Sequence, residues 1–158
     1  MKMEEMQQDI IYSVVRRYSI RPNWLEVTVY NRNSDNVIVH RNEMLPRGYK
    51  PGMPDPRNIT AALPTKDIEE IISIIQTGSR LFDSSELEES EVLMRDGEEV
   101  KLYFNDMNGR EVHISKGNLF CKYAGFGPDT KAGEIIRICN AIEDILKRNN
   151  LAAVTAEL

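Results

Sequence analysis

The stretch from Glu98 to Tyr123 constrains the fold more than any other, because its alternation decides which side of a sheet faces the core. Val100, Leu102 and Phe104 alternate with Lys101, Tyr103 and Asn105, the period-2 pattern of a half-buried strand. Val112 and Ile114 alternate likewise with Glu111, His113 and Ser115. Parity chooses the connection. A two-residue turn at Asn108-Gly109 would put Phe104 opposite His113, apolar against polar. A three-residue loop, Met107-Asn108-Gly109, pairs Phe104 with Val112, Leu102 with Ile114 and Tyr103 with His113. It also gives Gly109 the positive φ that a G1 bulge requires. The same reasoning predicts a two-residue loop at Lys116-Gly117 and a third strand, with Ile114 opposite Leu119 and Val112 opposite Cys121. Val92 to Arg95, before Asp96-Gly97, reads as another strand.

The amino-terminal half offers a second antiparallel set. Met6, Ile10, Ile11, Val14, Val15 and Tyr18 recur at helical spacing, yet the run is rich in β-branched and aromatic side chains. A strand from about Ile10 to Tyr18 is expected, with a helix as the alternative. Past Arg21-Pro22-Asn23, Leu25, Val27 and Val29 alternate with Glu26, Thr28 and Tyr30, and Val37 to His40 returns after a turn at 32–36. His40 reads as a surface residue.

From Glu43 to Pro64 the chain changes character. Residues 44–57 hold four prolines and two glycines, and a loop of this length in a compact domain is usually functional or disordered. Arg47, Tyr49, Lys50 and Arg57 make it a basic, aromatic-bearing flap suited to an anionic or proline-reading partner; the plainer alternative is an excursion closing over a sheet edge. Thr65 then stands as the cap of a helix with Ile68, Ile71, Ile72 and Ile75 on one stripe and Gly78 at its end. The acidic run from Asp83 to Glu91 lacks the spacing and glycine of a calcium loop and reads as a solvated linker. Gly125-Phe126-Gly127 resembles a phosphate cradle in outline only. The bend is explained by a turn and a cap at Asp129 or Thr130, leading into a helix lined by Ile135, Ile138, Cys139, Ile142, Ile145 and Leu146. Residues 151–158 form a short, weakly apolar tail.

These patterns assemble as one α+β domain over 1–158. It has two layers, an antiparallel sheet of about six to seven strands with two amphipathic helices on one face. The net charge of −5 argues against a general nucleic-acid binder, and Glu26, Glu43 and Asp55 interrupt the basic half. No apolar run reaches membrane-spanning length, and the acidic amino-terminal residues lack the apolar core of a leader, so the chain as given is expected in the cytoplasm. Cys121 and Cys139 read as buried inert thiols, with a disulfide between them as the alternative. Two histidines and no Cys/His cluster offer no metal site, and no cofactor motif is present.

The succession Arg21-Pro22-Asn23-Trp24, Leu63-Pro64, Asp96-Gly97, Asn108-Gly109 and a closing amphipathic helix resembles small uncharacterised proteins of anaerobic Gram-positive bacteria. That resemblance implies no known activity; many such proteins are secreted or lipid-anchored, a localisation that would apply here if a leader had been removed.

With no catalytic spacing, the residues point first to a non-enzymatic protein-binding or regulatory module, with an unknown protein partner or self-association. The alternative is a small ligand-binding domain or enzyme with the 43–64 loop as a lid. In either case the residues to test for binding are Arg47, Tyr49, Lys50, Arg57, Tyr103 and His113. The Tyr103-His113 pair could do acid–base work, but no third polar group is placed beside it by sequence, and an ordinary cross-strand contact explains it.

Overall fold

In the computed structural model the described residues are 9–18, 24–42, 47–53, 55, 57–88, 97–120 and 125–151. Among these residues six strands and two helices run in the order β1 (Ile10–Tyr18), β2 (Trp24–Tyr30), β3 (Val37–Asn42), β4 (Asn58–Ala61), α1 (Thr65–Gln76), β5 (Glu98–Asn105), β6 (Glu111–Gly117) and α2 (Lys131–Arg148). The strands form one antiparallel sheet in the order β4-β3-β2-β1-β5-β6. β1 lies inside it, between β2 and β5, so the ambiguous amino-terminal run is a strand over Ile10–Tyr18, as expected, and Met6 lies outside the described residues.

A bulge explains why its period was hard to read. The β1–β2 register shifts between Ile10 and Tyr12, and the consecutive residues Ile11 and Tyr12 are both buried. An inserted residue breaks strict alternation and imitates helical spacing. Beyond it alternation resumes. Tyr12 and Val14 line up across the sheet with Phe104 and Leu102 on β5 and with Val29 and Val27 on β2, all buried.

The same core cluster takes in Ile68, Ile71 and Ile75 of α1 and Ile135, Ile138, Ile142, Ile145 and Leu146 of α2. The two isoleucine stripes therefore cover one face, and among the described residues no helix lies on the other, which is called the helix-free face below. Each such side chain contributes ~1.5–3 kcal/mol when buried.

Carboxylates fix how the helices lie. Asp67, at the start of α1, accepts from Arg148 at 2.7 Å and from the Asn149 side chain at 3.0 Å, at the end of α2. Glu134, in the first turn of α2, accepts from the Ser79 and Arg80 amides at 3.1 and 2.8 Å, just past α1. The helices are thus antiparallel and tied at both ends.

Four local expectations change. The 43–64 segment is not all loop, because Asn58–Ala61 pairs with β3 as an edge strand. Thr65 is the first helical residue rather than the cap; Pro64 takes that position, with no side-chain cap bond. Lys116 and Gly117 do not turn. They stay in the ladder opposite Val100 and Glu99, and Asn118 leaves it with φ +58° while its side chain accepts from Glu98 N at 2.9 Å. The third strand therefore does not begin at Asn118, and residues 118–120 form turns. The described part of the acidic run, residues 83–88, is not a free linker either. Lys131 Nζ, in a side chain only 7% exposed, donates to Ser85 O at 2.7 Å and Asp83 O at 2.9 Å, and Glu88 caps α2. The strand expected at Val92–Arg95 falls outside the described residues.

Candidate functional site

Ladder geometry builds the Tyr103–His113 pair. β5 and β6 pair without interruption from Glu99–Gly117 to Asn105–Glu111, with Tyr103 directly opposite His113. At the two ends, Asp106 N donates to Arg110 O at 3.0 Å and Asn118 N donates to Glu98 O at 2.7 Å. Hydrogen-bonded pairs recur at every second residue, so Tyr103–His113 is a non-bonded pair, the kind whose side chains stand closer. Their ring centroids are 4.8 Å apart at 49°.

The loop between these strands is the three-residue one, with Gly109 at φ +94°. The buried Asp106 carboxylate organises it, accepting from Asn108 N at 2.8 Å, Arg110 N at 3.0 Å and Arg110 Nε at 2.7 Å. Gln76 of α1 donates to Asp106 O at 3.0 Å, which seats the loop on the helix layer.

Two further side chains join the pair on the helix-free face. Tyr103 OH donates to Glu111 at 2.7 Å and accepts from Asn105 Nδ2 at 3.2 Å. Burial, and after it the Glu111 carboxylate, hold the phenol above its ordinary pKa. The group is a protonated donor at neutral pH, not a ready base. Glu111 was absent from the sequence-derived set, although register alone makes it a diagonal neighbour of Tyr103, within reach of long side chains.

The loop residues are placed elsewhere. Tyr49 OH donates to Met53 O at 3.2 Å, Met53 N donates to Lys50 O at 3.1 Å, and Gly48 and Gly52 take positive φ, so residues 48–53 tie back on themselves. Arg47 and Lys50 are exposed. Arg57 is engaged within the loop: its Nη2 lies 2.9 Å and its Nε 3.0 Å from the two oxygens of Asp55, and this bond holds the Asp55 carboxyl below the ordinary range. Arg41 N donates to Arg57 O at 2.8 Å and anchors the loop's exit to β3.

The six sequence-derived residues therefore form two groups. Arg47, Tyr49, Lys50 and Arg57 precede β4, at one edge of the sheet, while Tyr103 and His113 lie on the last two strands at the other. Five interstrand spacings separate the outer strands, about 24 Å.

Other chemistry-bearing side chains are internal. Tyr12 and Cys139 are both buried in the core, where desolvation raises the phenol and pushes the Cys139 thiol up to about 12. Such a thiol is inert at neutral pH. Cys139 is free, so it is not part of a disulfide with Cys121, which lies outside the described residues. The cradle-like bend has no open amides at α2: Glu88 takes those of Lys131 and Ala132, and Thr130 Oγ1 takes that of Gly133 at 2.9 Å. Among the described residues no three His, Cys, Asp or Glu side chains gather to hold a metal ion, and no helix is long and apolar enough to cross a membrane.

No protein-family model matches the chain, and no curated protein or solved structure shows significant similarity to it.

Proposed function

We propose that the chain is a non-enzymatic protein-binding module whose contact surface is the helix-free face of the sheet. The observation that carries this reading is the make-up of that face. Registers place Trp24, Val15, Ile38 and Tyr103 there, all partly exposed, among Glu26, His40, Lys101 and His113. Aromatic and aliphatic anchors in a polar surround are what recognition surfaces use. A six-stranded ladder holds them in fixed positions, which lowers the ordering cost of binding. The Tyr103 phenol, protonated and already oriented by Glu111 and Asn105, suits recognition better than proton abstraction.

Site-specific photocrosslinking in cells that make the protein tests this. A photoreactive residue replaces Lys101 or Thr60 on the helix-free face, or Glu69 or Arg137 on the exposed side of the helices. Crosslinks to a distinct protein are expected from the sheet positions alone. Crosslinks from the helix positions alone, or equally from both sides, would count against the reading.

A further inference from the structure

The two outer strands of the sheet are unlike. β4 has four residues and follows the proline-rich segment, the short kind of edge that resists pairing. β6 has seven residues, no proline and no break in its register with β5. Its outward main-chain groups can be named. Because the bonded pairs of the β5–β6 ladder fall on Val112, Ile114 and Lys116, the N–H and C=O groups of Glu111, His113, Ser115 and Gly117 point away from β5. All four residues are exposed, and among the described residues no strand lies beyond β6.

We propose that β6 pairs antiparallel with β6 of a second copy of this chain, about a twofold axis at Ile114, making one continuous sheet. The strand is its own complement in that register. A twofold centred on a residue keeps helix-facing side chains together, whereas a centre between residues would flip them. Centring on Ile114 sets Glu111 opposite Gly117, His113 opposite Ser115 and Ile114 opposite its own copy. All four outward residues of each strand then bond, giving about eight main-chain hydrogen bonds. Val112 meets Lys116, and no like charges are opposed. Centring on His113 would instead leave Gly117 without an opposite residue in the strand. This inference goes beyond the reading of the helix-free face, since it concerns the sheet's edge and a partner identical to the chain itself.

Sedimentation velocity on the purified full chain, from micromolar to millimolar concentration, tests it. A reversible monomer–dimer equilibrium is expected. The exposed pair H113K/S115K would set lysine opposite lysine twice and raise the dimer dissociation constant about tenfold or more. H113K/S115E would set lysine opposite glutamate twice and leave the constant unchanged or lower. In the wild type, amide exchange at His113 and Ser115 should slow as concentration rises, while that at Thr60 on β4 should not. A chain monomeric throughout, equal weakening by both variants, or exchange at His113 and Ser115 indifferent to concentration would each overturn the proposal. A monomer that still crosslinks a distinct protein from the sheet face would remove this inference alone.

Discussion

The Glu88 carboxylate closes the amino end of α2, accepting from Ala132 N at 3.0 Å with one oxygen and from Lys131 N at 3.1 Å with the other. The Ala132 amide, above all, holds this carboxyl below the ordinary range, against a burial that alone would raise it. A carboxyl depressed on folding adds stability above its unfolded pKa, and that stability is lost as pH falls through the folded value. E88Q should therefore cost about 0.5–1 kcal/mol at pH 7 in urea unfolding. The difference from wild type should begin to shrink as pH drops to about 4 and vanish below the folded pKa. A gap that persists in acid would mean that Glu88 acts through packing rather than charge.

Asp67 is buried and shared by two donors of unequal standing. Asn149 donates to it from a half-buried position, and Arg148 from a side chain 53% exposed that also pairs with Glu70 at 2.6 Å. Solvent screening weakens an exposed ion pair. Double-mutant cycles should accordingly give a coupling of about 1 kcal/mol between Asp67 and Asn149, and a smaller one between Asp67 and Arg148. The reverse order would show the ion pair to be the stronger tie between the helices.

On the helix-free face, E111Q removes a carboxylate that supports the protonated form of Tyr103. The phenol in the wild type should titrate above the ordinary tyrosine value of about 10, and E111Q should lower it, because the charge that opposes tyrosinate is gone. Carbon NMR of the Tyr103 ring over alkaline pH reads this directly. No change in E111Q would leave burial as the sole cause.

Much of the sheet was legible because parity is a strong constraint. Val100, Leu102 and Phe104 had to share a side with Val112 and Ile114, and one loop length satisfied that. The Lys116-Gly117 turn failed for a non-local reason: Asn118 bridges back to Glu98 through both its main chain and its side chain, a polar contact no alternation records. β4 was hidden because Asn58-Ile59-Thr60-Ala61 carries little apolar pattern; as an edge strand, only Ile59 and Ala61 pack partly against the core. The acidic run misled similarly, since its buried partner Lys131 lies more than forty residues downstream. At the candidate site, register delivered Tyr103 beside His113 and could have delivered Glu111. The loop group stayed apart because no local rule links a proline-rich segment to one sheet edge rather than the other.

Gly133 sits in the first turn of α2, where helix propensity alone favours alanine by about 1 kcal/mol. Packing reverses that preference. The carbonyl of Gly127 folds over this turn, accepting from Thr130 Oγ1 at 2.6 Å, and a Cβ on residue 133 would lie 2.0 Å from that oxygen. The obstacle is backbone, so a rotamer change cannot relieve it. Either the 125–130 bend or the helix start must move, and the Thr130 bond to Gly133 N goes with it. G133A should thus lower stability by about 2 kcal/mol or more, against the propensity scale, as read from urea midpoints at constant m-value. A G133A protein as stable as wild type, or more so, would show that the bend yields freely and that its contact with α2 contributes little.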